Sequence, residues 1–235
     1  MKILAVDTSA VTASVCIAED HRLCGEFFVN TRQKHSRTLM PMLENLLHSL
    51  EIGLAEIDLF AVSAGPGSFT GVRIGVSCIK GLAMPFDTPC VGVSSLEAMV
   101  HNLTCVDGTV CAVMDARCGQ VYNAIFSVEG GKQRRITPDR ALSIDTLAEE
   151  CKKYGKRLYL VGDGADLCYN VEQFQALGAT LVPEAVRYQR ASGVASAAFE
   201  AFQRGEQVTV GQLAPIYLRP PQAQREQKKR LEESI

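Results

Sequence analysis

The sequence of 235 residues has no tryptophan, no long apolar run and no large excess of charge of either sign. Its 24 Lys and Arg residues and 26 Asp and Glu residues leave a net charge of -2, a balance that does not indicate a surface for nucleic acid or membrane. No window approaches the ~18 consecutive apolar residues of a transmembrane helix. The start MKILAVDTSA lacks the apolar core of a signal peptide. We therefore expect a cytoplasmic protein without membrane contact.

Patterns typical of metal sites and disulfide frameworks are also missing. The nine cysteines are scattered and include no C-x-x-C pair, which is typical of reduced, mostly buried thiols in a cytoplasmic protein. The four histidines, His21, His35, His48 and His101, contain no pair at i and i+4, and the H-E-x-x-H motif is absent. The sequence therefore predicts neither a metal site nor a disulfide framework.

The sequence does contain an ordered series of predicted strands and helices. At 47% hydrophobic residues, the chain can build one large domain or two small ones. The segments KILAVD, ASVCIAE and GEFFVN predict two hairpins that share a middle strand. A leucine-rich helix follows, with Ser36 as its expected N-cap and Pro41 near its first turn. The segment IDLFAVSA then predicts a buried strand, residues 70–84 a helix, and PCVGVSS another strand.

The second half of the chain repeats this order. After the polar segment HNLTCVDG, TVCAVMDAR and QVYNAIFSVEGG predict a hairpin, residues 144–153 a helix ending at Gly155, and residues 192–204 an Ala-rich helix. Each half opens with a strand that ends in an aspartate, Asp7 or Asp115, and turns back as a hairpin. The pattern predicts a duplicated α/β fold with two mixed sheets flanked by helices, not a Rossmann alternation. We place the first domain at residues 1–104, the second at residues 105–218 and a charged tail at residues 219–235.

The stretch SAGPGSFTGVRIG, residues 63–75, joins a predicted strand to a predicted helix through a glycine-rich bend. It is not a Walker A loop, because no glycine in it precedes a lysine. Thr70 occupies the third glycine position of the dinucleotide fingerprint, and no G-x-S-x-G motif is present. Two interpretations remain open: a tight turn that needs the φ angles glycine tolerates, or a weak phosphate site at the helix N-terminus.

The helix after this bend carries a stripe of small side chains at i, i+4, i+7 and i+11, formed by Gly71, Gly75, Cys78 and Leu82. Each interior glycine costs a helix about 1 kcal/mol relative to alanine, so another element is expected to approach closely here. That element lies either in the same domain or on a partner.

Seven motifs, taken together and in order, resemble the TsaB (YeaZ) family: MKILAVDTS, SAGPGSFTGVRIG, IKGLA, GVSSLEAM, MDAR, GDG and PIYLR. The similarity runs over residues 1–219. It implies a two-domain actin/hexokinase-like (ASKHA) fold, which agrees with the duplicated halves. It also implies a non-catalytic scaffold subunit required for N6-threonylcarbamoyladenosine (t6A) at position 37 of tRNAs that read codons beginning with A.

The resemblance implies partners as well. These are TsaD, a paralogue that transfers the threonylcarbamoyl group, and TsaE, an ATPase of the assembled complex. It further implies a homodimer in the absence of TsaD, and tRNA contact only through the complex. We expect TsaD to dock where the glycine bend turns the small-residue stripe outward beside the leucine-rich helix. The expected interface residues are Leu39, Leu43, Leu46, Leu50, Gly71, Gly75, Cys78 and Leu82.

The family comparison bears on metal binding. TsaD-like sequences carry two metal-binding histidines in a motif that matches SLEAM here, so Ser95 and Met99 stand at their positions. A hydroxyl and a thioether are poor substitutes for imidazole, thiolate or carboxylate ligands. We therefore expect no metal, no cofactor and no catalytic residue, and a metalloprotease is disfavoured.

A nucleotide-binding ATPase or kinase is the alternative function. The candidate nucleotide loops contain Asp7, Thr8, Ser9, Asp115, Gly162 and Gly164. ATP sites of the ASKHA type usually need several glycines in both phosphate hairpins, because backbone amides must reach the phosphates. DTSAVTA has none and DARCGQ has one. We therefore interpret the loops as vestigial, with Asp7 and Asp115 as turn formers.

Overall fold

The computed structural model describes residues 1–154 and 157–219, and two mixed sheets form its centre. The first sheet contains β1 (Lys2–Asp7), β2 (Ala13–Glu19), β3 (Arg22–Val29), β4 (Leu59–Gly65) and β5 (Cys90–Ser94). The helices of this half are α1 (His35–Leu50), α2 (Phe69–Ala83) and α3 (Ser95–His101). The apolar runs of β1 and β4 lie in the middle of the sheet, where both faces are covered and nearly every residue is buried.

The second half contains six strands and five helices within the described ranges. The strands are β6 (Gly108–Asp115), β7 (Gln120–Glu129), β8 (Lys132–Arg135), β9 (Arg140–Ser143), β10 (Leu158–Val161) and β11 (Thr180–Leu181). The helices are α4 (Ile144–Cys151), α5 (Ala165–Tyr169), α6 (Glu172–Ala176), α7 (Glu184–Arg187) and α8 (Ala191–Gln203). Along the described chain, no helix has the length and apolar character needed to cross a membrane.

The two sheets share one topology. The strand order is β3-β2-β1-β4-β5 in the first sheet and β8-β7-β6-β10-β11 in the second. In each sheet the opening strand pairs antiparallel with the next strand and parallel with the strand that follows the first helical segment. The prediction of a duplicated α/β fold with two mixed sheets flanked by helices is therefore confirmed.

Helix α1 shows where local reasoning about caps was wrong. The helix begins at His35 with Lys34 at the N-cap and no side-chain capping bond, so Ser36 lies inside the first turn. Pro41 lies in the second turn. The helix is held instead by its apolar face, because Leu39 and Leu43 are buried against the first sheet.

Helix α8 belongs to the second half in sequence but packs on the first sheet. Its buried side chains, among them Ala191 and Val194, form one core cluster with Ile3 and Ala5 of β1. The alanines and glycine of α8 allow this close approach, since a Cβ at Gly193 would stand 2.1 Å from a backbone oxygen of α3. We placed this helix with residues 105–218, and its contacts correct that placement. The boundaries at residues 104 and 218 remain predictions, while Gly155 and nearly all of the tail, residues 220–235, lie outside the described residues.

Candidate functional site

The glycine-rich bend between β4 and α2 is shaped by contacts between backbone segments. Gly65 has a φ of +123°, and a Cβ there would stand 2.3 Å from the carbonyl oxygen of Ile216. A Cβ at Gly67 would stand 2.3 Å from the carbonyl oxygen of Ser9. The backbone N–H of Ser68 donates to that same oxygen at 2.7 Å. The two glycines therefore let the bend lie directly against β1–β2 and the C-terminal segment.

The glycine stripe of α2 faces inward. A Cβ at Gly71 would stand 2.1 Å from the carbonyl oxygen of Thr8, and one at Gly75 would stand 2.6 Å from its Oγ1. The hydroxyl of Thr8 in turn donates to the carbonyl oxygen of Gly71 at 2.8 Å. The expectation that these glycines point outward is therefore wrong, because the close approach they permit is to the loop after β1.

The leucines of α1 also belong largely to the core. Leu39, Leu43 and Leu46 are almost fully buried against the first sheet, whereas Leu50 is partly buried. Cys78 and Leu82 of α2 are partly buried as well. Of the eight expected interface residues, five are therefore not accessible on the surface of this chain.

A different set of residues is exposed on the same two helices. Met40 of α1 is 42% exposed, and its sulfur lies 3.6 Å from the sulfur of Cys78 on α2. Ile74, Ser77 and Gly81 of α2 lie at helical spacing around Cys78 and are exposed or partly exposed. We call Met40, Ile74, Ser77, Cys78 and Gly81 the α1–α2 face.

The two positions that match the metal-binding histidines of TsaD-like sequences are occupied by buried core residues. Ser95 and Met99 of α3 are fully buried, and the hydroxyl of Ser63 donates to the hydroxyl of Ser95 at 2.6 Å. His101 pairs with Gln133 of β8, and partial burial lowers the pKa of His101. Over residues 1–154 and 157–219, no three His, Cys, Asp or Glu side chains are grouped so that they could hold a metal ion.

A cleft with a cavity of about 1110 Å³ lies between the two halves. The β1–β2 loop, the start of α2, the β6–β7 hairpin, the loop after β10 and the C-terminal segment all line it. Polar lining residues include Ser9, Arg32, Thr70, Asp115, Asp163 and Arg219. Of the six residues of the candidate nucleotide loops, Ser9 and Asp115 line this cleft, while Asp7 and Thr8 are buried beneath it.

The side chains of Asp7 and Asp115 each accept a hydrogen bond from the backbone N–H two residues later. Asp7 Oδ1 accepts from the backbone N–H of Ser9 at 2.8 Å and from its hydroxyl at 2.7 Å. Asp115 Oδ1 accepts from the backbone N–H of Arg117 at 2.7 Å. Burial raises the pKa of Asp7. Both aspartates thus bond to the turns that follow them, as expected of turn formers.

Gly162 and Gly164 are needed for packing between strands. Gly162 has a φ of +108°, and a Cβ there would stand 2.0 Å from the carbonyl oxygen of Val113 in β6. The backbone N–H of Gly164 donates to the same oxygen at 3.2 Å. The backbones of Gly162 and Gly164 therefore lie directly against β6. This close approach requires glycine at both positions, whether or not a phosphate binds there.

The sequence places Asp163 in a candidate nucleotide loop but does not predict three contacts at the cleft. Asp163, inside the GDG motif, lines the cleft and accepts from Gln189 Nε2 at 2.7 Å, and burial raises the pKa of Asp163 to about 6. Gln189, just before α8, is fully buried. The segment 216–219 crosses the cleft, since Ile216 N–H donates to Ala64 at 2.7 Å and Arg219 donates to Ala116 at 3.0 Å. No local sequence pattern predicts these contacts, because each contact joins residues that are far apart in sequence.

Comparisons with known proteins agree with this architecture. A family model described as "TsaD: tRNA N6-adenosine threonylcarbamoyltransferase" matches residues 29–227. The Escherichia coli (strain K12) protein named "tRNA threonylcarbamoyladenosine biosynthesis protein TsaB" is 30% identical over 226 residues, covering 93% of this chain and 95% of its own. The Bacillus subtilis (strain 168) protein of the same name is 32% identical over 167 residues, covering 71% of this chain and 73% of its own.

Solved structures show the same relationship. The structure described as YeaZ from Pseudomonas aeruginosa superimposes with a TM-score of 0.77 at 27% sequence identity, over 92% of this chain and 99% of that one. The sequence matches cover 73% and 95% of the two curated relatives, and the structural match covers 99% of the solved chain. The chain belongs to the family that the TsaD model describes and, within it, to the TsaB (YeaZ) proteins.

Proposed function

We propose that this chain is a non-catalytic scaffold subunit required for t6A formation at position 37 of tRNAs that read codons beginning with A. The observation that carries the proposal is the 30% identity to the Escherichia coli protein named for this biosynthesis, over 95% of that protein's length. In this proposal the chain binds and supports TsaD, and TsaE joins the assembled complex. In the absence of TsaD, the chain forms a homodimer.

The chemistry of α3 supports a role without catalysis. Ser95 is bonded to Ser63, and Met99 packs beside Gly162, so both side chains are part of the core. Neither offers a donor that iron or zinc prefers. The candidate nucleotide loops likewise use their aspartates and glycines for turns and packing.

The α1–α2 face is the proposed docking surface for TsaD. Met40 is exposed beside partly exposed apolar side chains, while Ser77 and Gly81 leave room for another helix to approach. Met84 and Phe86, directly after α2, are 66% and 44% exposed and extend the apolar character of this region. Large exposed apolar groups of this kind are typical of interface cores. The proposed docking surface therefore lies on the two helices that the sequence predicts, α1 and α2, but on their exposed sides.

Contact with tRNA is proposed to occur only through the complex. The affinity of a protein for a phosphate backbone depends on clustered Lys and Arg residues. The net charge of this chain is -2. Arg134 and Arg135 are adjacent, but Arg135 forms salt bridges with Glu97 and Asp139. These carboxylates offset the positive charge of Arg135, so the pair does not act as a basic cluster. The other basic run, Lys228, Lys229 and Arg230, lies outside the described residues.

Met40→Asp is expected to weaken TsaD binding by at least about 30-fold, which corresponds to about 2 kcal/mol for a buried interface side chain. The fold should be unaffected, because the side chain is exposed. Isothermal titration of purified TsaD into the variant measures the change. Leu167→Asp on α5 is the matched control, since Leu167 is 45% exposed in the second half. Unchanged affinity for Met40→Asp would place the docking surface elsewhere.

The isolated chain is expected to bind no stoichiometric iron or zinc and to form no t6A from tRNA and threonylcarbamoyl-adenylate. The reason is the hydroxyl and the thioether at the two ligand positions of α3. Elemental analysis and nucleoside mass spectrometry measure the two quantities. About one metal per chain that is lost on Ser95→Ala would contradict the proposal.

A further inference from the structure

Helices α1 and α2 lie side by side on one face of the first sheet and run in the same direction. Both pack with side chains of β1 and β4 in a single core cluster. Strands β3, β4 and β5 are parallel to one another, because β3 and β1 both pair antiparallel with β2, and β1 and β5 both pair parallel with β4. Helix α1 leads from β3 to β4, and α2 leads from β4 to β5. Each helix therefore runs opposite to these strands, and the two helices are parallel.

The contact between Met40 and Cys78 marks the level at which the two helices meet on their exposed side. The two sulfur atoms are 3.6 Å apart. At a rise of about 1.5 Å per residue, Arg73 lies about 7.5 Å from this level toward the start of α2. Glu44 lies about 6 Å from it toward the end of α1. The two charged residues are therefore on different helices, at similar distances on opposite sides of the Met40–Cys78 contact.

Arg73 and Glu44 border the α1–α2 face, and both are exposed. Arg73 precedes Ser77 by about one turn of α2, and Glu44 follows Met40 by about one turn of α1. Over residues 1–154 and 157–219, neither charge takes part in a salt bridge. Both charges are therefore available to a second molecule.

The guanidinium group of Arg73 is held in place by two aromatic side chains. Its Nε donates to the hydroxyl of Tyr217 at 2.7 Å, and its Cζ lies 3.8 Å from the ring centroid of Phe69. Its two Nη groups donate to no acceptor in the part of the chain that the structure describes. A guanidinium group fixed in this way can offer its Nη groups to a carboxylate.

We propose that the α1–α2 face pairs with the same face of a second copy of this chain, with Arg73 of each copy bound to Glu44 of the other. This pairing rests on the homodimer proposed above and assigns the residues that form it. A two-fold axis through the Met40–Cys78 contact, perpendicular to the face, places α2 of each copy antiparallel over α1 of the other. The same rotation brings Arg73 over Glu44 of the other copy, twice in one dimer.

The rest of the face fits this arrangement. Met40 and Ile74 provide apolar contact near the axis, and Ser77 has a small side chain where α1 of the second copy approaches. A Cβ at Gly81 would meet no heavy atom within 4 Å, so this end of α2 is also open. An apolar centre with charged residues at its border is typical of protein interfaces. A second copy is the occupant that the charges favour, because one chain supplies both members of the ion pair at matching positions.

Two charge reversals test the pairing by sedimentation equilibrium. Arg73→Glu would place two carboxylates opposite each other at both symmetric contacts, and Glu44→Arg would place two guanidinium groups there. Each variant alone is expected to self-associate at least about 10-fold more weakly than the parent. An equimolar mixture of the two variants is expected to associate like the parent, because both contacts then join opposite charges. A mixture that associates as weakly as either variant alone would overturn the pairing.

A third variant and a second partner complete the experiment. Arg134→Glu on β8 changes the net charge as Arg73→Glu does, lies in the exposed part of the second half and should associate like the parent. A parent that dimerises and two reversals that dimerise equally well would contradict the Arg73–Glu44 pairing and leave the proposed homodimer standing. A parent that stays monomeric would overturn both. Titration of TsaD into the parent then measures the scaffold role separately, since TsaD binding does not require self-association.

Discussion

Gly71→Ala is expected to destabilise the folded protein by about 3 kcal/mol or more, whereas Gly81→Ala in the same helix is expected to stabilise it by about 1 kcal/mol. A Cβ at Gly71 would stand 2.1 Å from the carbonyl oxygen of Thr8, and backbone cannot move aside as a flexible side chain can. A Cβ at Gly81 would meet no heavy atom within 4 Å. Alanine there therefore only restricts the unfolded chain and favours the helix.

Urea denaturation of the two variants and the parent measures both changes. The pair is matched, because both replacements are Gly→Ala within α2 and only the surroundings differ. A Gly71→Ala variant with parental stability that no longer binds TsaD would restore the outward-facing interpretation of the stripe. Equal stabilisation by both replacements would show that helix propensity, not packing against Thr8, governs this element.

Glu26→Ala is expected to lower the free energy of unfolding by about 3–5 kcal/mol, the range for breaking a buried ion pair. The side chain of Glu26 is 10% exposed and that of its partner Arg190 is 25% exposed. Glu26 also accepts bonds from the hydroxyl of Ser14 and from the backbone N–H and hydroxyl of Ser192, the second residue of α8. Its removal leaves the charge of Arg190 and these donors without their acceptor.

The control for this replacement lies on α8, the helix that Glu26 contacts. Glu200→Ala removes a surface contact with Arg204, in which both side chains are 49% exposed and the charged atoms are 3.9 Å apart. Exposed ion pairs of this kind contribute less than about 1 kcal/mol to the free energy of unfolding. The stability of the Glu200→Ala variant should therefore stay close to that of the parent. Hydrogen exchange should show that Glu26→Ala exposes the amides of α8 first. A loss under about 1 kcal/mol would mean that the apolar face of α8 alone holds it on the first sheet.

The two glycine-rich segments show how far local reasoning could reach. The bend after β4 was predicted to need glycine, and Gly65 does adopt a positive φ. The side from which the backbone is approached could not be predicted, because Ser9 and Ile216 lie far from the bend in sequence. The interior glycines of α2 were likewise recognised as sites of close approach, but the approaching element, the Thr8 loop, was not identified.

The sequence by itself determined the main strands and helices of each half, the repetition of their order, the turns at Asp7 and Asp115, and membership of the TsaB family. These features depend on side-chain periodicity and on turns of a few residues, which adjacent residues specify. Only the tertiary structure decided that α8 returns to the first sheet, that Gly71 and Gly75 face Thr8, and that Asp163 meets Gln189 at the cleft. An apolar helix face or a buried carboxyl group can be satisfied by several partners, and the partner is selected by packing between segments that are far apart in the chain.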